Sequence, residues 1–194
     1  MQKIAKEIKT AVLIFIAFSL LTGLIYPLLM TGIIQMAIPE RASGSLVVMD
    51  GRIIGSELIG QNFSGPGYFH GRPSAVGHMA NGSGGSNLGP TSSKLMEETQ
   101  NRIESVRLEN GLSSDIPVPA DLVLASGSGL DPHISVEGAI LQVPRIARSR
   151  DLPESKVMAL VNQSIEPAIL GIFGQDRVNV LRLNIGLDGL NKGG

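Results

Sequence analysis

Hydrophobic patterning divides the chain into two unequal parts. No residue from Thr10 to Pro39 is charged, and the 24 positions from Ala11 to Ile34 are apolar almost throughout. A helix needs about 20 such residues to cross the hydrocarbon core of a bilayer. In lipid, a lone segment satisfies its own backbone only as a helix. The run therefore predicts one transmembrane helix over residues 10–34, preceded by a short stretch, 1–9, and followed by one domain over 35–194. Pro27 removes a backbone donor and predicts a bend in the outer third of the span. Ser19, Thr22, Gly23 and Gly32 are small enough for a neighbouring helix to approach closely. A signal peptide carries a shorter apolar stretch, of about 7–15 residues, and a small-x-small cleavage site, which is not evident here. Lys3, Lys6 and Lys9 outweigh Arg41 and Arg52 across the span, which predicts a cytoplasmic N-terminus and an extracytoplasmic domain.

Downstream, the pattern alternates between short elements. Gly44–Met49, Asp50-Gly51 and Arg52–Gly55 read as a β-hairpin, because Asp-Gly supplies the positive φ angles of a tight turn. Residues 60–92 read as a long irregular loop, with eight glycines among the 26 residues from Gly65 to Pro90. Leu95, Thr99, Ile103 and Val106 recur at helical spacing, predicting a helix over Ser93–Asn110 that stops at Gly111. Glu97, Glu98, Arg102, Glu104 and Arg107 then form its solvated face. Leu122–Leu124 is strand or helix, and Ser126–His133 is a second Gly/Ser loop. Ser135 reads as a helix N-cap with Glu137 in the first turn, and Pro144 predicts a kink or split in that helix. A further helix has Pro153 at its first turn, turns Val157, Leu160, Val161 and Ile165 inward, and is limited by Pro167. Val178–Leu183 reads as a late strand. The domain is α+β in class.

Composition narrows the chemistry. Beyond the first nine residues, 13 basic and 16 acidic side chains leave a net charge of −3, and seven aromatic residues serve the whole chain. Neither property suits a nucleic-acid binder. There is no cysteine, hence no disulfide or thiolate site. No P-loop or dinucleotide fingerprint occurs, and Ser128 lacks the spacing of a nucleophile elbow. His70 and His78 lie eight apart in a Gly-rich loop without a carboxylate at metal-binding spacing, so no metal site is expected. Asp131 before Pro132 reads as a turn cap, with His133 beside it.

Several motifs in order carry a resemblance. The span is followed by Gly55–Gln61 and Tyr68–Ala75, then by Ser83-Gly-Gly-Ser-Asn-Leu-Gly-Pro90 and Ser126–Ser135. Gln142-Val-Pro-Arg-Ile-Ala147 and Arg177–Asn184 complete the series. Together they resemble the C subunits of bacterial Kdp potassium-transporting P-type ATPases over nearly the whole chain. His78-Met-Ala80 departs from the family in a stretch where members often carry a tyrosine.

The resemblance implies an accessory, non-catalytic subunit of an ATP-driven potassium-uptake complex in the inner membrane. Its implied partners are a channel-like potassium-translocating subunit, a P-type ATPase subunit and a small single-span subunit. It also implies a catalytic chaperone that raises the ATP affinity of the ATPase subunit, with Gln142 as a nucleotide contact. The lysine bias points elsewhere, since it puts Gln142 outside, away from cytoplasmic ATP. A rigid external cap held by the span is physically simpler. Two rival readings are a membrane-anchored hydrolase using Asp131, His133 and Ser126 or Ser128, and a ligand-binding domain.

Overall fold

A computed structural model describes residues 2–191. The N-terminal unit is helical: α1 (Gln2–Leu20), a π turn (Leu21–Ile25), α2 (Tyr26–Ala37) and the single turn α3 (Pro39–Ala42). The first three form one helix of 35 residues from Lys3 to Ala37, long and apolar enough to cross a membrane. At 1.5 Å per residue it is roughly 50 Å long, well beyond the hydrocarbon thickness of about 30 Å. The helix thus outruns the apolar stretch at both ends. The π turn lies just before Pro27: the Tyr26 N–H donates to the carbonyl of Leu21, five residues back. A wide turn of this kind accommodates the missing proline donor and the crowding of its ring. Thr10 and Thr22 return their hydroxyls to the carbonyls of Lys6 and Phe18, so neither polar group is left unpaired on an apolar helix.

The second compact unit begins at Val47. β1 (Leu46–Met49) and β2 (Arg52–Ser56) pair as the predicted hairpin. Asp50 and Gly51 both take positive φ, +50° and +73°, as a two-residue turn of the primed type requires. α4 (Ser93–Asn110) has the predicted bounds. The Ser92 hydroxyl accepts the Leu95 N–H at its start, and Gly111, at φ +65°, closes its end. It is a peripheral helix, with Asn110 its one buried residue. Its basic side chains do more than face solvent: Arg102 donates to the Val123 carbonyl, and Arg107 to the carbonyls of Ser114 and Ile116.

A 3₁₀ turn (Ala120–Leu122) precedes β3 (His133–Ser135), α5 (Val136–Arg150), α6 (Glu154–Gln163), β4 (Ile165–Glu166), β5 (Arg177–Asn179) and α7 (Val180–Asn191). The three short strands form an antiparallel sheet in the order β3-β5-β4, with Ile134 and Ile165 both opposite Val178. Helices α5, α6 and α7 pack with this sheet around one core. Phe69, Ile134, Val143, Ile146, Val157, Val161, Val178, Leu183 and Leu187 lie in it with at most 2% exposure. The α+β class holds.

Three local expectations change. Pro144 does not split α5, which runs unbroken from Val136 to Arg150 with Val143, Ile146 and Ala147 buried on either side of the missing bond. Ile165 belongs to β4 rather than to α6, which ends at Gln163. The strand expected over Val178–Leu183 stops at Asn179. The Asn179 side chain accepts the Arg182 N–H as a helix cap, and Val180, Leu183, Asn184 and Leu187 are then buried at helical spacing.

Candidate functional site

The expected irregular segment reaches the interior at Phe69, while most of the rest is half-buried or exposed. Phe69 is fully buried. The backbone around it finds partners among side chains rather than in a sheet. From Gly65 to His70, six consecutive carbonyls accept side-chain hydrogen bonds. They come from the His70 ring, Arg145, Arg150, Arg145 again, Asn184 and Gln142 in turn.

Two of these donors are amides that grip the chain on both sides of a residue. Asn184 of α7 accepts the Phe69 N–H at 2.8 Å and donates to its carbonyl at 3.0 Å. Gln142 of α5 does the same to His70, at 2.7 and 3.1 Å. Gln142 also donates to the Gly138 carbonyl and accepts from Arg145 at 2.8 Å. Its two amide protons and two acceptor positions are thereby all used, at 2% exposure. Arg145, 6% exposed, fans its guanidinium over Asn110, Pro66, Tyr68 and Gln142. Arg150 lies over the Tyr68 ring, 4.5 Å from its centre, and pairs with Asp188 at 2.8 Å.

The second Gly/Ser loop is laced to the first. Gly84 N–H donates to Ser128, Ser126 N–H to Pro73, and the Ser74 hydroxyl to Gly129. Gly129, at φ +67°, is required here: a Cβ would stand 2.6 Å from Val76 and 2.8 Å from the Gly84 carbonyl. Arg72 and Asp131 tie the same loops at 2.9 Å.

Between this framework and α4 lies a cavity of about 410 Å³, lined in part by Phe63, His70, Arg72, His78, Arg102 and Gln142. The His70 Nε2 faces the Gly65 carbonyl at 3.0 Å and therefore carries the proton of the neutral ring, while Nδ1 stands 3.4 Å from Glu109. Burial lowers the His70 pKa most; the Gly65 carbonyl raises it, Arg145 lowers it, Glu109 raises it, and the net is downward. His78 shares the cavity wall, and its N–H donates to Ser74. Among the described residues no cluster of three potential metal ligands converges.

Asp131 caps its turn as read, accepting the His133 N–H at 3.0 Å. Burial would raise its pKa, but the hydrogen bonds from His133 and Arg72 hold it down at about 2. The His133 ring lies between two carboxylates, Asp131 at 3.7 Å and Glu166 at 3.4 Å. Ser126 is buried, and the Ser128 hydroxyl accepts the Leu130 N–H. Both ring nitrogens of His133 thus point at acids, not at a serine that they could activate.

The match to known proteins spans almost the whole chain. A family model described as the K+-transporting ATPase, c chain, covers residues 8–189. The chain belongs to this family, KdpC. It is 51% identical over 189 residues to a potassium-transporting ATPase KdpC subunit of Gemmatimonas aurantiaca, covering 96% of this chain and 94% of that one. A subunit of the same name from Cereibacter sphaeroides is 50% identical over 94% and 96% of the two chains. One from Nitratidesulfovibrio vulgaris is 53% identical over 87% and 86%. As a KdpC-family protein the chain is a membrane-associated, accessory component of a potassium-transporting ATPase complex.

Sequence reasoning found Gln142 by resemblance alone, and missed Arg145, Asn184 and Asn110. The available signal was a glutamine and an arginine three apart on a helix face that also carries Val143 and Ile146.

Proposed function

We propose that this subunit acts as a rigid extracytoplasmic cap. One helix anchors it in the inner membrane with the N-terminus in the cytoplasm. Its domain seats on the channel-like potassium-translocating subunit, alongside the P-type ATPase subunit and the small single-span subunit. In this reading it has no catalytic site of its own and stabilises the assembly. As a catalytic chaperone it raises the ATP affinity of the ATPase subunit through the assembled complex rather than by holding nucleotide.

The observation that carries this reading is the state of Gln142. Every donor and acceptor on its amide holds the Tyr68–His70 framework or its own helix. A nucleotide contact at Gln142 requires the amide to leave that clamp. The two arginines on the cavity wall are largely engaged: Arg72 pairs with Asp131 through one terminal nitrogen, its buried Nε remaining without a hydrogen-bond partner, and Arg102 holds Glu98 and the Val123 carbonyl. One spare guanidinium nitrogen is a poor match for a triphosphate, which needs several free cationic or backbone donors. ATP is then the ATPase subunit's substrate.

Labelling tests the arrangement, because the chain has no cysteine. Ser83→Cys in intact cells reacts with a membrane-impermeant maleimide, while Lys3→Cys does not. The reverse pattern overturns the external cap. The complex assembled without this chain shows a raised KM for ATP, and an unchanged KM removes the chaperone role.

A further inference from the structure

Between β4 and β5 the chain makes a small hairpin of its own. Ile169 and Phe173 exchange backbone hydrogen bonds in both directions, at 2.9 Å each, and the Ala168 N–H is pinned by Asp176 at 2.9 Å. The turn is therefore built rather than slack. Its side chains are displayed outward: Ile169 is 59% exposed, Leu170 83%, Ile172 79% and Phe173 65%. Four large, exposed apolar groups within five residues of one tip are what an interaction site would use.

The backbone adds a second, independent observation. Leu170 takes φ +55°, beside Gly171 at +71°. A left-handed conformation is unfavourable for leucine, and Leu170 gains no burial within this chain to offset it. The strain and the exposure fall on the same residue.

We propose that the tip formed by Ile169, Leu170, Ile172 and Phe173 is a docking anchor, which seats in an apolar pocket of another subunit of the potassium-transporting ATPase complex. The charge around the tip selects a protein occupant over lipid. No residue from Pro167 to Gln175 is charged, and the flanking residues are Glu166 and Asp176. The first basic side chain, Arg177, is committed to Glu166 at 3.3 Å. Apolar tips that enter membranes lean on lysine or arginine against anionic headgroups. Glu166 is itself compensated by Arg177 and Arg182, so the tip offers no free basic group for headgroups to attract, and an apolar protein pocket suits it better.

The test uses the full chain and the complex. Ile172→Cys is treated with a membrane-permeant maleimide, so the result does not depend on which side of the membrane the domain occupies. The thiol reacts freely when the chain stands alone in phosphatidylethanolamine–phosphatidylglycerol vesicles, and burial slows it about tenfold or more in the complex. Equal rates in the two states overturn the proposal. Protection in the chain alone also overturns it, because lipid or a second copy then covers the tip. Leu170→Gly separates docking from folding. Relief of the left-handed conformation leaves the chain's thermal midpoint unchanged or raised, while less complex is recovered. A lowered midpoint with full recovery of the complex makes the tip a folding element and overturns the proposal.

Discussion

Gln142 holds His70 by both of its backbone groups, accepting its N–H at 2.7 Å and donating to its carbonyl at 3.1 Å across 72 residues of sequence. Asn184 holds the preceding residue, Phe69, in the same way across 115. Two helices thereby treat an irregular segment as if it were a paired strand. Removing either amide leaves two backbone groups unpaired, buried at Phe69 and part-buried at His70. Gln142→Ala and Asn184→Ala should each destabilise the chain by about 2–4 kcal/mol. Hydrogen exchange checks the assignment residue by residue. Exchange should rise first at the His70 amide in the Gln142 variant, and at the Phe69 amide in the Asn184 variant. Equal protection in wild type and variants would show that the clasps contribute nothing.

The elements legible in the sequence are those whose signals are local. Asp50-Gly51 marked the hairpin, Ser92 and Gly111 bracket α4, and Ser135 caps α5 within three residues, accepting the Gly138 N–H. The clamp was not legible, because its partners lie far apart in sequence and no periodicity links Arg145 to Pro66 or Asn184 to Phe69. The boundary between β5 and α7 failed for a different reason. Val178-Asn-Val-Leu-Arg-Leu183 alternates like a strand but also repeats like a helix, and the cap at Asn179 decides between them. The local cost of a proline predicts a split at Pro144, but the helix continues through it between buried neighbours.

Arg145 tests how much of the clamp depends on planar geometry. Its fork reaches Asn110, Pro66, Tyr68 and Gln142 at once from an almost fully buried position. A lysine keeps the charge but offers one compact ammonium group, which cannot span these acceptors. Arg145→Lys should cost about 3 kcal/mol in denaturant unfolding, close to the effect of breaking a buried ion pair outright. A variant as stable as wild type would mean that charge alone suffices.

His70 joins the clamp to the last turn of α4 through Glu109. Burial holds its pKa below the ordinary 6.5, while Glu109 pulls upward. A group lowered on folding contributes stability that is complete above the unfolded pKa and declines as the pH falls toward the folded value. Glu109→Gln removes the upward pull. The His70 pKa should fall further in an NMR titration, and the loss of stability below pH 6.5 should steepen. A rise in the His70 pKa would show that Glu109 does not act on the ring as described.

Asp131 sets the acid limb of stability. It accepts from Arg72 at 2.9 Å and from the His133 N–H at 3.0 Å, and its pKa falls from 3.8 to about 2. A depressed carboxylate contributes stability that is fully present above its unfolded pKa and is lost as the pH falls through the folded one. The window here runs from about pH 4 down to about pH 2. The full shift corresponds to roughly 2 kcal/mol. Solvent reaches both partners, with the Asp131 and Arg72 side chains 29% and 28% exposed, and screening reduces that figure. Asp131→Asn should therefore destabilise the chain by about 1–2 kcal/mol at pH 7, with the difference from wild type shrinking below pH 4 and closing near pH 2. Urea midpoints measured against pH in detergent give both curves. A gap that stays constant down to pH 2 would assign the loss to packing of the turn rather than to the charge on Asp131.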